Sequence, residues 1–265
     1  MALLPPSPPL RILLTNDDGI NAEGLKILEK IAKTLSSDVW IVAPEVEQSG
    51  AGHSVTINSP LRARKISARK FAVNGTPTDC VLMAVRALLP KYKKIDLVLS
   101  GINRGQNVAE DITHSGTIAG AMEGTLCDIP SIAFSQKIDY SRQNPVMHWN
   151  TGLHHAPDLI RSLLAAGFVR DTLYNVNFPD CTADKVRGVK VVAHGKREIP
   201  KQLKGSVDPK GRDYYWLTWA EEGADPRRPD ADIKWLSEDY ITVTPICLDL
   251  TNYNRLETLK GTLEK

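Results

Sequence analysis

Cysteine is scarce in this sequence. Cys80, Cys127, Cys181 and Cys247 are the only four, and none stands in C-x-x-C spacing. That argues against a structural zinc site and against a disulfide framework. Reduced thiols in a cytoplasmic protein are the simplest account. Long apolar runs are missing too: no stretch approaches the roughly 20 residues needed to cross a bilayer. Residues 1–10 carry four prolines and no basic residue, so they read as a disordered lead-in rather than a signal peptide. Charge of one sign is also lacking. The formal net charge is +2 and the basic residues form no run, which excludes an electrostatic groove for nucleic acid. Several catalytic signatures are absent: G-x-x-x-x-G-K-[ST], G-x-G-x-x-G after the first strand, H-E-x-x-H and G-x-S-x-G. An aspartyl-phosphate phosphatase of the haloacid dehalogenase type would want D-x-D after that strand, and here the two acids are contiguous.

What remains is an ordinary globular composition, 42% hydrophobic over 265 residues, enough for one large α/β domain. Strands are expected at 12–15, 39–43, 96–100, 131–135, 173–178, 189–192 and 241–246. Short strands are also expected at 55–57, 61–66 and 71–73. Helices are expected after Gly19, after Pro77, at 118–126 and over about 147–166. Strands alternating with helices imply a mostly parallel sheet with helices on both faces. The pattern degrades from Lys196 to Asp239, where Tyr214, Tyr215, Trp216 and Trp219 cluster among charges, prolines and glycines. Neighbouring aromatics of this kind are costly in water, so the region reads as a hairpin arm buried against a partner subunit. The division is therefore a single α/β domain with its core over 11–195 and an arm and C-terminal segment over 196–265.

The opening stretch Ile12-Leu-Leu-Thr-Asn-Asp-Asp-Gly-Ile20 organises the rest. A short apolar strand stops at four turn-forming residues, and a helical pattern with Leu25, Leu28, Ile31, Ala32 and Leu35 on one face follows. Asp17 and Asp18 thus sit at a strand's C-terminal end, the edge where open α/β sheets bind ligands. Adjacent carboxylates repel, and one would be driven to protonate. A hard divalent cation such as Mg²⁺, Mn²⁺ or Ca²⁺ removes that conflict. A solvated turn capping the helix is the simpler alternative.

Three more loops leave strands on the same expected edge. One holds Gln48, Ser49 and Gly50, the next Asn103, Arg104 and Gly105, and the last brings Ser115, Gly116 and Thr117 to a helix start. Two carboxylates, a hydroxyl and a carboxamide make an oxygen ligand set for a hard cation. A helix N-terminus at Ser115 can present N–H groups to an anion. Each loop also has a plain reading: Ser49 as a loop hydroxyl, Asn103 as a turn residue, Ser115 and Thr117 as N-caps.

The sequence resembles the SurE family, the stationary-phase survival proteins. The blocks that carry the resemblance are Leu13-Leu-Thr-Asn-Asp-Asp-Gly-Ile20, Val42-Ala-Pro44 with Gln48-Ser-Gly-Ala-Gly-His-Ser54, Val73-Asn-Gly-Thr-Pro-Thr-Asp-Cys80, Ser100-Gly-Ile-Asn-Arg-Gly105, and Ser115-Gly-Thr117 with Ala121-Met-Glu-Gly124. A thinner block is Tyr240-Ile-Thr-Val-Thr-Pro245. The resemblance implies a Rossmann-like core with a C-terminal part exchanged between subunits, in a homodimer or homotetramer. It implies a divalent-metal-dependent phosphatase for nucleoside monophosphates, acting on 5′ and also 3′ phosphates and on polyphosphate. Its metal ligands fall on Asp17, Asp18, Ser49 and Asn103. On that basis water attacks in line, with Asn103, Ser115, Gly116 and Thr117 holding phosphoryl oxygens and Asp17 as a candidate base. Two departures stand out: His114 where the family often has Tyr, and Ala231 where Thr often precedes Asp232. The rival functions are a non-catalytic nucleotide-binding regulator and a phosphodiesterase.

Overall fold

Ile12, Leu13 and Leu14 are all fully buried because the first strand runs through the middle of a sheet covered on both faces. A computed structural model of the chain describes residues 9–91, 93–139, 141–197, 201–219 and 228–264. In chain order the strands and helices are β1 (Arg11–Thr15), α1 (Glu23–Leu35), β2 (Asp38–Pro44), β3 (Ala63–Ser67), β4 (Lys70–Val73), α2 (Pro77–Met83), β5 (Leu97–Arg104), α3 (Gly116–Leu126), β6 (Ser131–Gln136), α4 (Trp149–Ala166), β7 (Thr172–Phe178), β8 (Gly188–Val191), β9 (Lys201–Val207), β10 (Asp213–Trp219), α5 (Asp232–Ser237), β11 (Tyr240–Cys247) and α6 (Tyr253–Leu263).

Among the described residues, nine strands form one sheet in the order β3-β4-β2-β1-β5-β6-β7-β11-β8. The central pairs β4–β2, β2–β1, β1–β5, β5–β6 and β6–β7 are parallel. The chain steps from β1 to β2 on one side and later to β5 on the other, so the strand order reverses beside β1. Such a switch point leaves a crevice at the strands' C-terminal ends. Ile12 and Leu14 face a core shared with Leu25, Leu28 and Ile31 of α1 and Ile160 of α4. Leu13 faces the opposite core with Val81 of α2. Helices therefore cover both faces, as the alternating pattern predicts.

Helix α3 packs tightly on the sheet. A Cβ at Gly120 would come within 2.8 Å of Ser100 Oγ and Thr15 Cγ2, and one at Gly124 within 2.4 Å of Ser131 Oγ. Glycines four residues apart give the helix a bare face, and that face lets its N-terminus reach the end of β1.

Several expectations change. No strand forms at 55–57, because the Thr56 N–H and Oγ1 bond to Asp79 Oδ1 and Oδ2 at 2.9 and 2.6 Å instead of to a neighbouring strand. Val55 and Ile57 are exposed. The helix after Pro77 opens as expected, with Thr76 and Asp79 forming a capping box, but it passes into a π-helical turn over Ala84–Leu88. Strand β5 runs past Ser100 to Arg104 through a shift in its register with β6. Gly101 makes this possible: its φ is +133°, and a Cβ there would sit 2.3 Å from the Phe134 carbonyl oxygen.

The stretch from residue 196 onward divides in two. Among the described residues, strands β9 and β10 pair only with each other, as an antiparallel hairpin. Strand β11 is an integral part of the main sheet between β7 and β8, and Ile241 and Val243 belong to its core. The core thus extends past the expected boundary at 195, because the hairpin is an insertion rather than the start of a separate tail. Helix α6 buries none of its residues. Residues 1–8 of the expected lead-in, and the side chain of Trp219, lie outside the described residues.

Candidate active site

The site begins where β1 stops. Asn16 is fully buried and its Nδ2 donates to the Gly19 carbonyl at 3.0 Å, closing the turn. Its Oδ1 is buried without a hydrogen-bond partner among the described residues. Asp17 is buried, 4% exposed, and Asp18 is half-buried beside it. No ion pair joins either carboxylate to a basic side chain among the described residues. Burial raises the Asp17 pKa above the usual carboxylate value, while the Thr117 hydroxyl and backbone pull it back. Burial, and then the neighbouring Asp17 charge, push Asp18 up to about 7. Two acids in one low-dielectric corner are thus held in a state that favours losing one charge.

The other loops come to this turn by direct contacts. Gln48 N–H donates to the Asp17 carbonyl at 2.8 Å, bringing the loop after β2 alongside. Arg104 N–H donates to Asp18 Oδ2 at 3.2 Å, bringing in the end of β5. Thr117 Oγ1 donates to Asp17 Oδ1, bringing in the start of α3. Gly116 permits that approach, since a Cβ there would lie 2.7 Å from Asp17 Cβ. The loop carrying Ser49 is tied down further by Gly52 N–H to the His114 carbonyl at 3.1 Å and by His53 Nε2, 3.0 Å from Glu123 Oε2.

The structure therefore sets Ser49 next to a residue bonded to Asp17, and Asn103 next to a residue bonded to Asp18. Ser49 is exposed and donates its proton to Glu47 Oε1 at 2.7 Å. The Asn103 Nδ2 is committed to the Gly105 carbonyl at 2.9 Å, which leaves Oδ1 as its outward acceptor. Ser115 caps α3, its Oγ accepting from Ile118 N–H at 3.1 Å. The sequence pattern puts Thr117 on phosphoryl oxygens. In the structure Thr117 is fully buried and its hydroxyl is given to Asp17, because the glycine face of α3 draws the helix too close for the side chain to face outward.

Glu47 is a neighbour that motif reading passes over: its charge also raises both Asp17 and Asp18. Its position two residues before Ser49 is the only sequence signal that could have found it. Among the described residues, no group of three or more His, Cys, Asp or Glu is placed to hold a metal. Any cation here would rely on two carboxylates and neutral oxygens, the donor set that hard ions accept.

The family model described as Survival protein SurE matches residues 12–201. The chain belongs to the SurE family. It is 54% identical over 251 residues to a protein named 5′-nucleotidase SurE from Paramagnetospirillum magneticum, covering 95% of each chain. It is 50% identical over 254 residues to another of that name from Brucella anthropi, covering 96% of this chain and 97% of the relative. The crystal structure of a SurE protein from Aquifex aeolicus superposes with a TM-score of 0.81 at 39% identity, over 96% of this chain and 99% of that one. The SurE fold is therefore shared almost end to end. Two departures from the SurE blocks have visible settings. His114 is exposed and meets the Ser49 loop through its backbone, and Ala231 stands at the N-cap of α5 with no side-chain cap.

Proposed function

We propose that this chain is a divalent-metal-dependent phosphatase of nucleoside monophosphates, a 5′-nucleotidase like the relatives named above. The observation that carries the reading is buried Asp17 beside half-buried Asp18, without an ion-pair partner among the described residues, at the switch point of the sheet. The donor chemistry fits a hard cation. Asp17, Asp18, the Asn103 Oδ1 and the Ser49 Oγ would hold it, and Mg²⁺ or Mn²⁺ suits that set, with Ca²⁺ able to occupy it. When bound, such an ion supplies charge neutralisation to the carboxylates and to phosphoryl oxygens.

The chain's own residues do the rest. Thr117 orients Asp17 by its hydrogen bond, so one carboxylate oxygen is fixed and the other is left for ligand or base work. At the start of α3, Ser115 N–H is given to the Asp111 carbonyl and Ile118 N–H to Ser115 Oγ, so Gly116 N–H and the Ser115 hydroxyl proton are the donors closest to binding phosphoryl oxygens. Asn103 stands opposite them at the end of β5 and can contact the same group. Water then attacks phosphorus in line with the leaving nucleoside oxygen, and catalysis is mostly positioning and charge stabilisation. These residues address the phosphoryl group rather than the sugar, so the reading extends to 3′-monophosphates and to polyphosphate ends.

The test is release of inorganic phosphate from a panel of 5′- and 3′-mononucleotides with Mg²⁺ or Mn²⁺. Turnover that disappears in excess EDTA and returns with added metal is the expected result. Full activity in EDTA overturns the metal, and cleavage of a dinucleotide with no mononucleotide turnover overturns the monoesterase.

The arm supports an assembly reading. Leu203, Tyr215, Trp216 and Leu217 of the hairpin are exposed, as are Leu259 and Leu263 of α6. A largely apolar cavity of ≈ 760 Å³ opens beside α3, lined by Met122, Leu126, Ile246 and Leu248 among others. A homodimer or homotetramer that exchanges its C-terminal segments would cover these surfaces, with α6 of one subunit against the cavity of another. Light scattering of the full chain tests it, and a monomer at all concentrations overturns it.

A further inference from the structure

A buried charged cluster at the root of the hairpin has no part in the roles above. Arg197 is 6% exposed. Its Nη1 and Nη2 donate to Asp111 Oδ1 and Oδ2 at 3.0 and 2.9 Å. Nη1 also reaches Glu110 Oε1 at 2.9 Å, and the Arg197 backbone N–H donates to Glu110 Oε2 at 3.0 Å. A guanidinium fork on a carboxylate is both strong and directional, and it fixes orientation as well as distance. Asp232, fully buried, adds a second anchor: its oxygens accept from Ala109 N–H at 3.0 Å and Gly195 N–H at 2.7 Å.

Both anchors grip the same short 3₁₀ turn, Ala109–Thr113. Ala109 has φ +54°, a left-handed conformation that costs a residue with a Cβ and persists only where its surroundings enforce it. The turn leads straight into the site. The Asp111 carbonyl accepts from His114 and Ser115 N–H, each at 2.9 Å. Ser115 caps α3, and Thr117, in the first turn of that helix, holds Asp17. Contacts therefore run unbroken from the Arg197 guanidinium through Asp111, Ser115 and Thr117 to the candidate catalytic carboxylate.

We propose that Arg197 is a positioning residue for the phosphate end of the site. By clamping Asp111 it sets where Ser115, Gly116 and Thr117 stand against Asp17, so the hairpin root and the reaction centre move as one unit. The proposal rests on the phosphatase reading. It implies that whatever displaces the hairpin, including a second copy of the chain, is felt at Asp17.

The test uses the full chain and four variants: Arg197→Met, Arg197→Lys, Thr117→Ala, and Arg197→Met combined with Thr117→Ala. Each is assayed by phosphate release from AMP with Mg²⁺, by thermal melting, and by hydrogen exchange of the metal-free protein. Arg197→Met should exchange faster over 109–117 while the amides of β1, β5 and β6 stay protected. It should lose roughly 10- to 100-fold in kcat, the scale on which partners that orient a ligand act, with a KM change of under about threefold. Arg197→Lys should recover part of kcat. The double variant should fall no further than Thr117→Ala alone, since residues on one chain of contacts are not additive. Unchanged kcat and exchange in Arg197→Met, or losses that multiply in the double variant, overturn the proposal. If Arg197→Met does not fold, the same measurements on Arg197→Lys decide. If the wild type releases no phosphate while the exchange result holds, the phosphatase reading fails and the clamp stands.

Discussion

The edge around Asp17 and the hairpin with α6 are opposites in how they treat water. At the edge, polar groups are packed inside: Asn16, Asp17, Ser115 and Thr117 are all buried, and glycines in α3 close the remaining space. On the hairpin, apolar groups are left outside, Trp216 at 67% and Leu217 at 62% exposed. Burying a polar group costs free energy unless it gains a partner, and so does exposing an apolar patch. Each region is therefore incomplete in its own way. Among the described residues the edge has no basic side chain paired with its carboxylates and the hairpin lacks a covering surface, which suits a ligand for the first and another subunit for the second.

The sharpest way to break this contrast is Asp17→Asn. It keeps the size and the Thr117 contact but removes the charge on which cation binding depends. Turnover should fall by more than the ~100-fold typical of losing a group that merely orients a ligand. Circular dichroism should be unchanged. Wild-type turnover in this variant would show that the edge is a capped turn and nothing more.

Next in size is the pH dependence of the metal-free protein. The Asp18 pKa is raised from 3.8 to about 7, so the folded state prefers the protonated acid. Stability is then fully present below the unfolded pKa and is lost as pH rises from about 4 through about 7. The loss is at most ~4 kcal/mol, given that each pKa unit is worth ~1.4 kcal/mol. Asp17 shifts in the same direction for the same reason. Melting temperature in EDTA should therefore drop across that window, Asp18→Asn should flatten the drop, and Mg²⁺ should raise it more at pH 7 than at pH 5. A metal-free melting temperature that climbs over the same range would reverse the electrostatic argument.

The contrast also separates what sequence can reveal from what it cannot. Apolar runs and their breakers located β1, β2 and β6 because burial on both faces leaves a continuous signature. The four loops of the edge were legible because each follows a strand whose direction is fixed by the β–α alternation. Distance in sequence hid the rest. Nothing near Arg197 announces Asp111, and Glu47 is an unremarkable loop acid until its charge is seen beside Asp17. Apolar alternation at Val55 and Ile57 misled, because a carboxylate took the hydrogen bonds that a strand partner would have taken. Strand β11 read clearly as a strand, but only its pairing with β7 and β8 shows that the chain returns to the core after the hairpin.

Gly120→Ala tests the packed side of the contrast. The added methyl would meet Ser100 Oγ and Thr15 Cγ2 at 2.8 Å, and the neighbours are held by the sheet. Overpacking of this kind costs about 1–3 kcal/mol, even though alanine is the better helix former by about 1 kcal/mol. The melting temperature should fall by several degrees, with turnover falling too because α3 is pushed off Asp17. A variant that melts higher than wild type would mean that the glycine face is slack rather than tight.

The smallest thermal effect belongs to the hairpin. Trp216→Ser with Leu217→Ser alters two side chains that one subunit leaves in water, and exposed substitutions of this sort stay within about ±0.5 kcal/mol. Measured on monomer, the melting temperature should hardly move. Measured by light scattering at concentrations where wild type associates, the mass should drop, because the substitutions remove the apolar surface a second subunit would cover. The two readings pull apart only if the hairpin is an interface. If it stays solvated in the assembled protein, mass and melting temperature will both match wild type, and the exposed aromatics will need a different occupant.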